Sequence, residues 1–258
     1  LFQHKVFIII TIVMLIIVSG CSSNEPTDEV KLTISAAASL KESLEKIQQS
    51  YEKEYPNVKL RYNFGGSGSL QQQIAQGAPV DLFFSSSEDK FNKLVDEGFI
   101  AEDNGITLLQ NELVLIVPTD NTYDITKFED LIHREISHIS IGIPETVPAG
   151  KYAKETLESL KIWTEIESKI VFAKDVRQVL SYVETGNVEA GIVYKSDALQ
   201  SEKVTIISTA DANLHSPIVY PIGIINGTKN YIAAKDFYNY IQKQNSLEVF
   251  EDYGFITK

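Results

Sequence analysis

From Val30 onward, strand-like and helix-like spacings of apolar residues alternate almost without a break. Val30, Leu32 and Ile34 are separated by polar residues, the period of two that suits a half-buried strand. Leu40, Leu44, Ile47 and Tyr51 then recur at the three- and four-residue spacing of one helix face. Val58, Leu60, Tyr62 and Phe64 alternate again, and a Gly/Ser turn leads into a short helix that ends at Gly77 with Pro79 just beyond, the order of a helix stop. Val80 to Phe84 suits a buried strand, and Phe91, Leu94 and Val95 mark a helix closed by Gly98. The pattern predicts further strands over 113–117, 139–143, 169–173, 188–194 and 204–207, and helices over 126–133, 149–161 and 176–185. Strands separated by helices of this length predict an α/β chain with parallel pairing and crossover helices on both faces.

The segment before Val30 follows a different pattern. Gln3-His4-Lys5 is polar and weakly positive, and Val6 to Val18 is apolar apart from Thr11. That run falls short of the roughly 20 residues that span a bilayer and fits a signal-peptide core over residues 1–20. Ser19-Gly20-Cys21 resembles the lipobox of bacterial lipoproteins. The resemblance implies cleavage before Cys21, lipidation there, and a protein anchored to the extracytoplasmic face of the cell membrane by residues 21–29, a polar tether (SSNEPTDE over 22–29).

The remaining chain is long for a single core and suits two lobes. Leu113–Val117 and Ile218–Ile225 each follow an irregular stretch and are the expected passages between them. This places 30–112 and 218–258 in lobe 1 and 113–217 in lobe 2. The chain of 258 residues is 43% hydrophobic and 22% charged, an ordinary globular composition, and its net charge of −12 argues against nucleic acid as a partner. Cys21 is the only cysteine, which excludes an intrachain disulfide and any cysteine-based metal site.

The candidate chemistry lies where helices begin. Ala36-Ala37-Ala38-Ser39 joins a strand to a helix, and Ser39 with Glu42 has the S-x-x-E spacing of a capping box. Gly65-Gly66-Ser67-Gly68-Ser69 occupies the same strand-to-helix position, with glycines that would let backbone N–H groups turn toward one point. Val147-Pro148-Ala149-Gly150 puts proline at a first helical position, and Asp175-Val176-Arg177-Gln178 is a second capping box. Ligands bind at that edge of open α/β sheets. The first turn of a helix has unpaired N–H donors and the positive end of the dipole, worth ~0.3–1 kcal/mol to a surface anion and up to ~2 when partly buried. Each motif alone is explained by capping; several converging on one cleft would bind an anion without lysine or arginine.

AAASL (36–40), FGGSGSL (64–70), GAPVDLFFS (77–85), VPAGKYAKETL (147–157), DVRQVL (175–180), GIVYKSDA (191–198), YPI (220–222) and Tyr253-Gly254-Phe255 occur in that order over nearly all of the chain beyond the tether. Together they resemble the extracytoplasmic molybdate-binding proteins of ABC importers. The resemblance implies a two-lobed periplasmic-binding-protein fold, type II-like, each lobe a mixed and mostly parallel sheet flanked by helices. It implies molybdate as ligand, tungstate with it, no cofactor, no enzymatic activity, and delivery to an ABC permease by a monomer. Carried over by position, it implies hydroxyl and amide donors from Ser39 and Ser67, backbone N–H donors from Ala149 and Val176, and the Tyr194 hydroxyl. These groups would hold the oxygens of the anion, with no direct ligand to the metal. Ser69 is the alternative to Ser67, and a sulfate, thiosulfate or phosphate receptor of the same fold is the competing reading.

Other chemistry fits less well. A G-x-S-x-G nucleophile elbow at Ser67 would need glycine where Ser69 stands. His133 and His138 are five residues apart, which does not stack them on one helix face, and no acidic motif accompanies them. Gly66-Ser67-Gly68 opens like a dinucleotide fingerprint, but Gln71 holds the third glycine position. Arg177 could reach an anion, yet Val176 is the better-placed donor, so Arg177 is expected to be structural.

Overall fold

The structure is a computed structural model and describes residues 29–257. The expected signal peptide, Cys21 and all of the tether but Glu29 lie outside the described residues. Eleven strands and nine α-helices follow, with short 3-10 turns between some of them. In chain order these are β1 (Val30–Ala37), α1 (Lys41–Glu54), β2 (Val58–Gly65), α2 (Ser67–Ala75), β3 (Leu82–Phe84), α3 (Glu88–Asp96), β4 (Ile100–Gln110) and β5 (Leu113–Pro118). Then come β6 (Ile139–Gly142), α4 (Pro148–Ser159), α5 (Trp163–Ile166), β7 (Ile170–Ala173), α6 (Val176–Glu184), β8 (Ala190–Tyr194), α7 (Lys195–Ala198) and β9 (Val204–Thr209). The chain ends with β10 (Val219–Ile225), α8 (Tyr231–Tyr240), α9 (Gln244–Asp252) and β11 (Ile256–Thr257). Gly77, Gly98 and Gly186 adopt positive φ just past α2, α3 and α6, the left-handed cap that a residue without Cβ adopts at least cost.

The strands form two mixed sheets. The six-stranded sheet has the order β11-β4-β10-β3-β1-β2 and the five-stranded sheet β7-β6-β8-β5-β9. This is the two-lobed α/β architecture that the sequence pattern and the resemblance imply. Each sheet has a parallel trio at one edge, β2-β1-β3 and β7-β6-β8. The strands beside it, β10, β4 and β11 in one sheet and β5 and β9 in the other, pair antiparallel. Parallel pairing is thus confined to the trios. The remaining pairs are antiparallel because β10, on its return to the first sheet at Val219, runs between β3 and β4 in the opposite sense to both, and β5 does the same between β8 and β9 in the second sheet.

Three parts of the chain depart from the predicted elements. β4 is an eleven-residue strand in a stretch expected to be irregular. It is polar and largely unburied along Glu102–Thr107, and its order comes from pairing with β10 and β11 on either side. The helix expected over 126–133 is a 3-10 turn, Phe128–Ile132. Helices α8 and α9 were not among the predicted elements; they bury Phe237, Tyr238 and Phe250 against the first sheet, and Phe84 meets Phe250 edge-on at 6.1 Å.

The trios bring the helix starts together. Strands in parallel register end at the same level: Ala37 lies beside Gly65 at the ends of β1 and β2, and Gly142 beside Ala173 at the ends of β6 and β7. Four chain segments therefore leave their sheets at two common edges and turn into helices there. The start of α4 is pressed against its sheet so closely that a Cβ on Gly150 would sit 2.0 Å from the Gly142 carbonyl oxygen. Backbone cannot yield as a flexible side chain does. Gly150→Ala is therefore expected to destabilise the fold by about 1–3 kcal/mol or more, measured as a lower urea midpoint with an unchanged slope.

Candidate functional site

Where the two edges face one another they frame a small cavity. The first sheet's side contributes Ala38, Ser39, Gly65, Gly66 and Ser86; the second contributes Val147, Pro148, Ala149, Val176 and Tyr194. None of these carries a charge. The larger surface depression between Pro118 and Lys203 is open and lined in part by the charged Asp120, Glu184 and Glu202.

Of the five residues singled out in the sequence, Ser39, Ala149, Val176 and Tyr194 line this cavity. Ser67 adjoins the lining residues Gly66 and Ser86 without being one of them. It is fully buried, and its Oγ accepts the Ser86 backbone N–H at 3.0 Å and lies 3.2 Å from the Ser86 hydroxyl. Ser86 is the cavity residue that sequence reasoning missed. It sits in Ser85-Ser86-Ser87 after β3, and only its spatial pairing with the Gly-rich turn distinguishes it from the serines on either side. Ser69 is neither a lining residue nor fully buried.

The local chemistry of the helix starts differs from a set of simple caps. Ser39 does not cap α1. It lies in a 3-10 turn, Ala38–Leu40, the helix is preceded by Leu40, and the Ser39 hydroxyl bonds the Tyr220 hydroxyl at 3.0 Å. Glu42, its expected capping partner, instead accepts from Arg177 Nη2 at 2.6 Å. At α6 the cap forms as expected: Asp175 accepts the Gln178 N–H at 2.9 Å, and the Gln178 side chain returns to the Lys174 N–H at 2.8 Å. Pro148 begins α4 without a lost hydrogen bond, leaving the N–H of Ala149 in the first turn, where no intrahelical acceptor exists. Val176 is the first residue of α6, directly after the Asp175 cap, so its N–H also falls in a first turn.

The glycines of the 65–68 turn also act differently from expectation. None of Gly65, Gly66 and Gly68 has positive φ. Gly66 and Gly68 are small because the other half of the molecule touches them: a Cβ on either would come within 2.8 Å of the Thr146 carbonyl oxygen. The Gly68 N–H donates to that same oxygen at 2.9 Å. Lys151 reaches Asp89 at 3.3 Å and the Tyr152 hydroxyl reaches the Ser86 carbonyl at 3.4 Å, so the two halves meet around the cavity.

Tyr194 ends β8 with its ring packed against Tyr152 and Tyr220. It is 1% exposed, and among the described residues its hydroxyl makes no hydrogen bond of good geometry, the Ser86 side chain being the group that approaches it. Burial holds it protonated, well above the usual phenol range, so it faces the cavity as a donor. A buried hydroxyl left unpaired costs about 1–3 kcal/mol.

Arg177 is held away from the cavity. Its guanidinium is 2.6 Å from Glu42, across the junction of the two halves, and 3.5 Å from Asp197, which is fully buried. The expectation that Arg177 is structural agrees with this pairing. Burial is the largest influence on Asp197 and, with Glu42 adding to it and Arg177 opposing, pushes its carboxyl up to about 7. Neither Ser39 nor Ser67 is bonded to a histidine; His215 Nδ1 is on the Ser216 carbonyl. Among the described residues no group of three or more His, Cys, Asp or Glu side chains is placed to hold a metal ion, and no helix is long and apolar enough to cross a membrane.

Two mixed sheets flanked by helices, with an uncharged cavity between them, form the two-lobed fold of periplasmic solute receptors. A family profile described as bacterial extracellular solute-binding protein matches residues 32–256. A Bacillus subtilis protein provisionally named an ABC transporter substrate-binding lipoprotein, YvgL, is 51% identical over the whole of both chains. The molybdate-binding protein ModA of Haemophilus influenzae is 35% identical over 88% of this chain and 91% of its own. A solved structure from Clostridium difficile, provisionally described as the substrate-binding domain of a molybdenum ABC transporter, is 42% identical with a TM-score of 0.68, covering 89% of this chain and 99% of that one. The chain belongs to the bacterial extracellular solute-binding proteins, receptors of ABC transport that are not enzymes and carry a ligand in place of a cofactor.

The Asp197 carboxyl generates a pH dependence with a definite sign. Between its ordinary value of 3.8 and about 7 the folded chain holds a proton that the unfolded chain has lost. Its contribution to stability therefore falls as pH rises through that window and levels off above it. Melting temperatures from pH 4 to 8 should show this decline in the parent protein and a flatter profile in Asp197→Asn.

Proposed function

We propose that this receptor binds molybdate, and tungstate with comparable strength, in the cavity between its sheets and delivers it to an ABC permease. Ser39, Ser67, Ala149, Val176 and Tyr194 supply the donors, with Ser86 completing the wall. The observation that carries the proposal is the Tyr194 hydroxyl, buried, unpaired and facing a cavity without a charged group, opposite helix starts from the other half. An ion in a dry cavity must find many donors, since the idealised cost of an unpaired charge is tens of kcal/mol. Relatives named as molybdate-binding proteins support the same ligand.

A wall of donors discriminates by proton and by size. An oxyanion that keeps a proton near neutral pH, as phosphate partly does, brings a hydroxyl that needs an acceptor. Sulfate has the charge and shape of molybdate but shorter bonds, and would leave donors under-satisfied at about 1–3 kcal/mol for each badly unpaired group. Tungstate nearly matches molybdate in size.

The division into lobe 1 (30–112 and 218–258) and lobe 2 (113–217) belongs to this proposal and is supported by the membership of the two sheets. Binding across the junction favours the closed arrangement, and the permease releases the anion by separating the halves. Cys21 carries the lipid that holds the receptor, a monomer, at the outer face of the cell membrane; the name of the Bacillus subtilis relative as a lipoprotein supports this.

Calorimetric titration with molybdate, tungstate, sulfate and phosphate tests the assignment. Molybdate and tungstate should bind in one-to-one stoichiometry and well ahead of the other two; tighter binding of sulfate or phosphate would replace it with a receptor for that anion. Tyr194→Phe separates function from stability. Without ligand the variant should melt higher, by up to the equivalent of about 1–3 kcal/mol for the removed unpaired hydroxyl, while its molybdate affinity drops roughly ten- to hundredfold.

A further inference from the structure

Ser39 has one hydroxyl proton, and its direction decides whether the oxygen acts in the cavity as donor or acceptor. Groups at the crossing between the sheets determine that direction. Asn111 is buried between β4 and β5, and its amide is oriented because Oδ1 accepts the Glu112 N–H at 2.9 Å. Nδ2 therefore faces the opposite way, donating to Ser196 Oγ at 2.8 Å and to Tyr220 Oη at 3.3 Å. Having accepted that hydrogen, Tyr220 gives its own proton to Ser39 Oγ, 3.0 Å away. The reverse direction would leave the Tyr220 proton, in a fully buried side chain, without an acceptor among the described residues. The Tyr220 ring cannot swing aside, because Tyr194 and Phe255 pack edge-on against it at 5.8 and 5.3 Å. Ser39 is left with its proton to direct into the cavity that it lines.

We infer that Asn111 and Tyr220 form a proton-orienting relay that holds Ser39 as a donor and occupies the lone pair through which Ser39 would otherwise accept. This inference rests on the oxyanion reading of the cavity and identifies Tyr220 as a positioning residue for discrimination against oxyanions that carry a proton. Chains of hydroxyls polarised in one direction strengthen the terminal donor. With the relay intact Ser39 offers the ligand a donor; without it, Ser39 can turn and accept a hydrogen from a protonated anion.

Tyr220→Phe keeps the ring and its edge contacts and deletes the relay oxygen. Titrations with molybdate, and displacement of bound molybdate by inorganic phosphate at neutral pH, are run on the parent protein, Tyr220→Phe, Ser39→Ala and the double variant. Tyr220→Phe should weaken molybdate binding roughly tenfold, and it should narrow the molybdate-to-phosphate affinity ratio beyond what the molybdate loss alone produces. In the Ser39→Ala background the same change should alter molybdate affinity by less than about twofold, since the two residues act in series. Equal losses in both backgrounds, unchanged molybdate affinity, or an unchanged anion ratio would each overturn the relay, because a purely structural tyrosine lowers both affinities in proportion. If Tyr220→Phe does not fold, Asn111→Ala carries the same cycle against Ser39→Ala with the same criteria. A parent protein that fails to bind molybdate defeats the functional reading itself, whereas a parent that binds with an unaltered Tyr220→Phe defeats the relay alone.

Discussion

The cavity depends on one constraint: its walls present donors and no charge, and the donors come from backbone that two separate sheets must bring to one point. Parallel strands in register satisfy it directly. β1 and β2 end level with each other, as do β6 and β7, so the segments that follow reach the same edge before turning into helices. Each helix start brings N–H groups that have no partner inside the helix, and a partial positive charge that needs no counterion. A lysine in their place would bring a full charge, with the desolvation that accompanies it, and would hold an anion more strongly than a receptor that must release its ligand can use.

Keeping charge out requires structure elsewhere. Arg177 follows Val176 in the first turn of α6, one residue from the cavity wall, and left free it would place a guanidinium beside the helix start. Glu42 and Asp197 hold it from both sides, and the Glu42 bond crosses the junction of the two halves. Arg177, 3.5 Å from the Asp197 carboxylate, opposes the effect of burial on that carboxyl without overcoming it. Another charged pair across the junction, Lys151 with Asp89, is a third to a half exposed and belongs to the class of ion pairs worth about 0–1 kcal/mol. Under the proposed reading, a ligand that engages both halves adds to these contacts and favours the arrangement in which the halves meet.

The fold was legible in the sequence wherever apolar periodicity carried the signal. The strands of both parallel trios, the helices between them and the glycine stops at 77 and 98 follow from spacing alone. β4 did not, because Glu102–Thr107 has no apolar face and takes its order from its neighbours. At the site, chain-local chemistry located the helix starts but misread how two of them work. Ser39 has the spacing of a cap and bonds a tyrosine 181 residues away. Ser86 was invisible because a run of three serines gives no clue to which one meets Ser67 across a turn. Tyr194 was legible only through the family resemblance, since nothing in the alternation of β8 distinguishes a tyrosine buried for packing from one buried with its hydroxyl unpaired.

The Gly-rich turn shows how a residue's meaning can reverse between the chain and the fold. Glycine after a strand suggests backbone freedom, yet Gly66 and Gly68 sit in ordinary conformations. Their lack of a side chain matters because Thr146, from the other half, lies where a Cβ would be. The halves therefore stop against each other backbone to backbone, with the Gly68 N–H on the Thr146 oxygen at 2.9 Å. A stop made of backbone yields far less than one made of side-chain ends, and it stands beside the cavity on the same turn that carries Ser67. The spacing of the two cavity walls beside that contact is then held by main chain, and under the proposed reading it limits the size of the oxyanion that donors from both halves can meet together.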